Sequence, residues 1–133
     1  MTQEEKIQYW ISISDNDLKA AEIMLKGKQY LYVCFMCQQA IEKLFKGCFV
    51  KIKKDEQPHI HNLITLAQRS NIYILLNEEQ KMFIAVLNPF NIEARYPDYK
   101  NQLLRELTKE KTLDILIQTK ELQRWTKEKI LFQ

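Results

Sequence analysis

The chain has 133 residues, of which 46% are hydrophobic and 28% are charged, and its formal net charge is +3. This length and composition are typical of a soluble protein with one hydrophobic core, so we expect a single domain over residues 1–133. The net charge is too small to indicate nucleic-acid binding by itself.

The first ten residues, MTQEEKIQYW, are polar and acidic. A secretory leader has basic residues followed by an apolar stretch, so we expect no leader here. The three cysteines cannot all pair with one another, and free thiols in an intracellular protein are the simplest interpretation. We therefore expect a cytoplasmic location.

The first predicted helix begins at the sequence TQEE, which matches a capping box in which Thr2 is the cap and Glu5 follows three residues later. Apolar residues then recur at helical spacing, which puts them on one face. They are Ile7, Ile11, Leu18, Ala21 and Leu25. Gly27, between two lysines, is a suitable C-terminal end for this helix.

The second predicted helix extends from about Gln29 to about Lys54 and is apolar on nearly every side. One face carries Leu31, Cys34, Phe35, Ile41, Leu44, Phe45 and Cys48, and much of the rest is covered by Val33, Met36, Cys37, Ala40 and Phe49. Such a helix is typical of the centre of a bundle. Residues 30–50 are long enough to span a membrane, but the cost of placing Glu42, Lys43 and Lys46 in lipid argues against it.

The segment KKDEQPHIHN is a predicted loop, and a short third helix is expected from about His61 to Ser70. A second cap signature, NEEQ at 77–80, precedes the fourth helix. The prolines of NPFNIEARYPDYKN are expected to interrupt regular structure.

The last predicted helix extends from about Thr108 to Ile130, and its expected core contacts are Leu113, Leu116, Ile117, Leu122 and Trp125. No segment alternates in the manner of a strand. The sequence therefore predicts an all-α protein, an antiparallel up-and-down bundle of four to five helices.

A polar stripe crosses the central helix, because Gln39, Glu42 (or Lys43) and Lys46 are three or four residues apart. Polar groups on a buried helix are retained when they are paired or line a wet cleft, which is where a ligand would bind in a bundle. The alternative is a solvent-facing stripe in which Glu42 and Lys46 pair with each other.

The segment EARYPDYK, residues 93–100, is a second candidate for binding. Arg95 could hold a phosphate with two hydrogen bonds, while Tyr96 or Tyr99 could stack on a base. Alternatively, Arg95 pairs with a neighbouring acid, either Glu93 or Asp98, and Tyr96 fills a gap under the loop.

The only histidines, His59 and His61, could form a zinc site on paper with Cys34 and Cys37. The two cysteines lie within an apolar helical run, however, and are better interpreted as small buried hydrophobic residues. We therefore predict no metal site and no cofactor.

Three segments in this order resemble the HEPN domain, the helical nucleotide-binding domain shared by higher eukaryotes and prokaryotes. They are QQAIEKLFK in the second helix, HIHNL at the third helix and EARYPD after the fourth. The resemblance covers roughly residues 5–127. It implies a bundle that commonly dimerises, and members of the family pair with minimal nucleotidyltransferases, bind nucleotides or cut RNA as toxins.

The resemblance also implies that the three segments surround one groove, with His61 at its edge. The resulting candidate ligand-binding residues are Glu42, Lys43, Lys46, His61, Arg95, Tyr96 and Asp98. We expect a non-catalytic module that binds a nucleotide or nucleic acid and acts with a separate minimal nucleotidyltransferase. A homodimer is also expected, because Tyr30, Tyr32, Met36 and Phe49 cannot all face one core.

The chain departs from the ribonuclease members, in which an arginine is followed by a histidine four to six residues later. Arg95 is followed by YPDYKNQ, and no histidine occurs after His61. Metal-independent RNA cleavage needs a general base and an acid, so no catalytic residue is assigned. A ribonuclease toxin with a rearranged site that uses His61 and Arg95 across a dimer is the alternative, and a scaffold without a ligand is a third possibility.

Overall fold

Helices form all of the regular structure in residues 1–91 and 97–133, the part of the chain that the computed structural model describes. The six α-helices are α1 (Gln3–Lys26), α2 (Tyr30–Lys53), α3 (Leu63–Arg69), α4 (Glu78–Leu87), α5 (Pro97–Glu106) and α6 (Lys109–Thr126). Short 3₁₀ turns cover Tyr73–Leu75 and Asn88–Asn91, and a π-helical turn, Lys127–Leu131, follows α6. The all-α bundle is confirmed, with six helices instead of four or five.

Local capping determines where the first and fourth helices begin, as the sequence predicts. The hydroxyl oxygen of Thr2 accepts a hydrogen bond from the backbone N–H of Glu5 at 3.1 Å. Asn77 and Gln80 form a reciprocal capping box, with distances of 2.8 Å and 2.9 Å. These bonds satisfy backbone donors that have no partner inside the helix.

Helix α2 is the most buried of the described helices and lies at the centre of the bundle. It packs against α1 along much of its length and also contacts α3, α5 and α6. Ile41, Leu44 and Phe45 are fully buried. Gly47 faces α1 at close range: a Cβ added there would lie 3.4 Å from the Cβ of Trp10, at contact distance.

A buried polar network fixes the positions of α1, α2 and α6 relative to one another. The Ser14 hydroxyl donates to the carbonyl oxygen of Ala40 at 2.7 Å, and the Gln123 side-chain amide donates to Ser14 Oγ at 3.0 Å. The same amide donates to Asp15 Oδ1 at 3.0 Å, which also accepts from Lys127 Nζ at 2.6 Å. Because these bonds are directional, they favour one register of the three helices.

The last helix buries only part of the face that the sequence predicts: Trp125 packs against the core as expected, but two other predicted contacts do not. Leu116 and Leu122 are buried as expected, but Leu113 and Ile117 are 41% and 46% exposed, so their prediction as core contacts is wrong. The buried face instead includes Thr112, Thr119 and Thr126. Each of these threonines donates its hydroxyl hydrogen to a carbonyl oxygen four residues earlier, which satisfies the hydroxyl without a partner from another helix.

The segment after the fourth helix also differs from the prediction. Regular structure was expected to be interrupted throughout NPFNIEARYPDYKN, yet α5 begins at Pro97. A proline is tolerated at the first position of a helix because its missing N–H would have no helical partner there. None of the described helices is long and apolar enough to cross a membrane.

The polar network leads to a prediction about stability. Replacing Ser14 with alanine should lower the free energy of unfolding by about 1–2 kcal/mol, because the Gln123 amide loses one buried acceptor. Ser12→Ala is the matched control: Ser12 lies on the same helix but is exposed, and its hydroxyl donates only to the Tyr9 carbonyl oxygen. That change should cost less than about 0.5 kcal/mol. Urea denaturation measures both, and equal midpoints for the two variants would refute the proposed role of the network.

Candidate functional site

A fully buried carboxylate, that of Glu42 on α2, lies among three basic side chains. Its Oε2 atom is 3.1 Å from Lys46 Nζ, one helical turn away, and 3.4 Å from Lys43 Nζ. Its Oε1 atom is 3.1 Å from Nδ1 of His61, which belongs to the loop before α3. The four residues, here called the Glu42 cluster, are therefore brought together from two parts of the chain.

The Glu42 carboxyl is ionised despite its burial. Burial opposes ionisation more than any other single influence, but Lys43, Lys46 and His61 act together against it and hold the pKa of Glu42 below its usual value of 4.5. An ionised carboxylate can only accept hydrogen bonds, so Nδ1 of His61 carries a hydrogen and donates a hydrogen bond to Glu42. The second ring nitrogen, Nε2, has no hydrogen-bond partner among residues 1–91 and 97–133.

Side-chain amides connect the Glu42 cluster to neighbouring turns. The Gln38 amide nitrogen donates to the His61 carbonyl oxygen at 3.1 Å, and the Gln39 amide nitrogen donates to Gln38 Oε1 at 2.7 Å. Gln39 also donates to Asn91 Oδ1 at 3.3 Å and accepts from Lys43 Nζ at 2.7 Å. The loop before α3 and the turn after α4 are thus both bonded to α2.

A cavity of about 320 Å³ opens beside this network. It is lined by His61, Asn62, Asn88, Pro89 and Asn91. Its volume lies near the lower end of the range for small-molecule pockets, roughly 300–1,000 Å³. Sequence reasoning missed the three asparagines, and the only signal for them was their density next to proline in NPFN and next to histidine in HIHN.

Helix α1 supplies two further groups near the Glu42 cluster. The Lys46 ammonium lies 5.6 Å from the centre of the Trp10 ring, within the range of a cation–π contact. The Oδ2 atom of Asp17 is buried and has no hydrogen-bond partner among the described residues. Burial, as the largest influence, raises the pKa of Asp17; the Lys43 charge lowers it and the Glu42 charge raises it further.

The remaining candidate residues are not brought into the cluster by the structure. Arg95 and Tyr96 lie outside the described residues. Asp98 is exposed in the first turn of α5, and it forms no hydrogen bond or ion pair with the Glu42 cluster within residues 1–91 and 97–133.

The cysteines are buried single thiols. Burial raises the pKa of Cys34 to about 12 and that of Cys37 to about 11, so both thiols stay protonated near neutral pH. Within the described part of the chain, no three residues of metal-binding type are grouped closely enough to hold an ion.

Comparison with protein families finds that the model of the HEPN domain matches residues 7–130. The match includes all of α2, the loop that carries His61 and the asparagine-lined cavity. Comparisons with curated proteins and with solved structures find no match.

The ionised state of Glu42 leads to a prediction about pH and stability. Glu42→Gln should lower the free energy of unfolding near pH 7 by about 3 kcal/mol, because it leaves the buried Lys46 without its counter-charge. Since the pKa of Glu42 is lower in the folded than in the unfolded chain, the stabilisation is present above about pH 4.5 and is lost as the pH falls through the folded-state value. The loss in free energy of unfolding caused by Glu42→Gln should therefore become smaller at acid pH.

Glu128→Gln is the matched control, because Glu128 also pairs with a basic residue one helical turn away, Arg124, but on the surface. It should cost less than about 1 kcal/mol at any pH. Urea denaturation between pH 3 and pH 8 measures both. An equal cost for the two substitutions would contradict the account of Glu42.

Proposed function

Because the chain belongs to the HEPN family, whose domain model matches residues 7–130, we propose that it is a non-catalytic module that binds a nucleotide or the end of a nucleic acid. The family relates the chain to nucleotides and RNA in general. The observation that supports a binding role most strongly is the Glu42 cluster beside a polar cavity. We further propose that the module acts with a separate minimal nucleotidyltransferase, in a pair of the toxin–antitoxin type.

The three basic side chains of the cluster have different tasks in this proposal. Lys46 is 8% exposed, so it serves mainly to neutralise Glu42. Lys43 and His61 are 20% and 57% exposed, and a ligand can reach them. Lys43 supplies the positive charge that an anionic ligand requires, and His61 offers a ring nitrogen for a hydrogen bond. Arg95 and Tyr96 remain candidates for a further phosphate contact and for base stacking.

The non-catalytic assignment is based on the groups around the cavity. Among the described residues that line it, His61 is the only side chain suited to proton transfer near neutral pH. Metal-independent RNA cleavage needs one group to remove a proton and another to supply one. The single imidazole at the cavity fills one of these roles.

One observation favours the alternative, a ribonuclease with a rearranged site. Glu42 fixes the ring orientation and the proton position of His61, as a carboxylate does for a catalytic histidine. A second group would have to come from Arg95 or from another copy of the chain. RNA degradation that is lost in His61→Ala would support this alternative against the non-catalytic module.

We also propose that the protein is a homodimer, with α4 and α6 at the interface. Exposed Met82 and Val86 on α4 lie with Ile115 of α6 around a groove of about 470 Å³, whose rim carries both Glu79 and Lys111. Opposite charges on one rim allow pairing between two identical surfaces. Of the residues first expected at the interface, Phe49 is buried, whereas Tyr32 is 39% exposed and lies against Lys100 of α5.

Binding of a short single-stranded RNA and of adenosine monophosphate tests the proposed module. Lys43→Gln should weaken binding about tenfold or more, the scale of a lost hydrogen bond to a charged group. Lys129→Gln removes the same charge from an exposed position in the turn after α6 and should change affinity less than about threefold. Fluorescence anisotropy measures both variants. If neither ligand binds the wild-type chain, the binding module is excluded.

Light scattering at a protein concentration of about 10 μM tests the proposed dimer. The wild-type chain should have the mass of a dimer, and Val86→Glu should be monomeric because it places a charge in the groove. Ile74→Glu makes the same kind of change at an exposed apolar residue outside the groove, and it should stay dimeric. A monomeric wild-type chain, or a dimeric Val86→Glu, would contradict the proposed interface.

A further inference from the structure

The side-chain amides of Asn62 and Asn88 have orientations that the backbone determines. Asn62 Oδ1 accepts a hydrogen bond from the backbone N–H of Thr65 at 3.0 Å, and Asn88 Oδ1 accepts one from the backbone N–H of Leu63 at 2.7 Å. A backbone N–H can only donate, so the oxygen of each amide must face it. The NH₂ group of each asparagine therefore points away from these bonds.

The orientation of Asn91 is determined in the same way, through one intermediate. The Lys43 ammonium can only donate, so the oxygen of Gln39 faces it at 2.7 Å and the nitrogen of Gln39 faces Asn91. Asn91 must then present its oxygen to Gln39. The NH₂ group of Asn91 therefore points away from Gln39.

The cavity is consequently lined by hydrogen-bond donors. Asn62, Asn88 and Asn91 all line it, and none of their Nδ2 atoms donates to another residue within the described ranges. Pro89 has no backbone N–H to contribute. The His61 ring, whose Nδ1 is bonded to Glu42, adds a further donor, Nε2–H, when it is protonated.

A donor-lined cavity selects a ligand group that offers acceptors. The pairing edge of every nucleobase carries at least one N–H donor, which would face the asparagine N–H groups without a partner. An ionised phosphate monoester carries three terminal oxygens that accept hydrogen bonds. Lys43, bonded to Gln39 next to Asn91, supplies positive charge close to the cavity.

We infer that this cavity binds a phosphate monoester, the terminal phosphate of a nucleotide or of an RNA end, through the NH₂ groups of Asn62, Asn88 and Asn91. The inference rests on the proposed nucleotide- or RNA-binding function and specifies which part of the ligand the cavity recognises. The base and ribose would then extend away from the cavity.

Asparagine-to-aspartate substitutions test this inference with little disturbance of the fold. Asn62→Asp and Asn88→Asp each keep the oxygen that accepts from the backbone and replace the NH₂ donor with an acceptor. Aspartate caps a helix about as well as asparagine, so α3 should remain intact. Titration with inorganic phosphate and with ribose 5-phosphate, followed by amide chemical shifts, should show binding by the wild-type chain and at least about tenfold weaker binding by both variants.

Two further variants separate the lost donor from the added charge. Asn77→Asp changes the same residue type at the cap of another helix, α4, outside the cavity, and it should alter phosphate affinity less than about twofold. Asn62→Ser keeps a capping oxygen without adding charge, and it should still weaken binding. If Asn77→Asp weakens binding as much as Asn62→Asp, or Asn62→Ser has no effect, the asparagine donors do not hold the phosphate.

Guanosine is the phosphate-free competitor, because the N7 and O6 edge of guanine carries only acceptors. Binding of guanosine without binding of ribose 5-phosphate would overturn the inference in favour of base recognition. An RNA with a 5′ phosphate should bind more tightly than the same RNA with a 5′ hydroxyl, and equal affinities would also overturn it.

Failure of the cavity assignment and failure of the proposed binding module give different results. If the cavity assignment alone is wrong, RNA and adenosine monophosphate still bind, Lys43→Gln still weakens them, and the asparagine variants behave as wild type. If the binding module is wrong, neither nucleotide nor RNA binds, even when inorganic phosphate gives shifts that Asn62→Asp abolishes.

Discussion

Burial of the Glu42 carboxylate is the constraint on which the rest of the site depends. Removing an ion of this size from water costs several kcal/mol unless nearby charges and hydrogen bonds compensate. Lys46 pairs with Oε2 from one helical turn away, whereas Oε1 is bonded at 3.4 Å by Gln38 and more closely, at 3.1 Å, by His61 of the loop before α3. The position of that loop against α2 is therefore linked to the ionisation of one side chain.

The same compensation shapes the cavity. Gln38 bonds both Glu42 and the loop, while Gln39 extends the network to Asn91 in the turn after α4. Gln38 and Gln39 use both ends of their amides inside this network, but Asn91 uses only its oxygen there, which leaves its NH₂ group for a ligand. Groups that stabilise the fold thus also decide which hydrogen-bonding groups the cavity presents, and a substitution in the network will affect both.

Features set by local sequence were predictable, whereas those set by distant partners were not. The caps at Thr2 and Asn77 depend on residues three positions away, and the central place of α2 follows from its apolar surface. Asn88 and Asn91 were missed because their partners, Leu63 and Gln39, are 25 and 52 residues away. The buried face of α6 was only partly predicted, because its buried threonines satisfy their own hydroxyls with carbonyl oxygens of the same helix.

The most direct measurement of the central claim is the titration of the Glu42 carboxyl itself, followed by the chemical shift of its carboxyl carbon in the folded protein. The account predicts a pKa below the ordinary 4.5, because Lys43, Lys46 and His61 together outweigh the effect of burial. In Lys46→Met, which removes one of these charges, the pKa of Glu42 should rise. A wild-type pKa at or above 4.5 would mean that burial prevails and that Glu42 does not hold His61 by charge, which would contradict the account of the site.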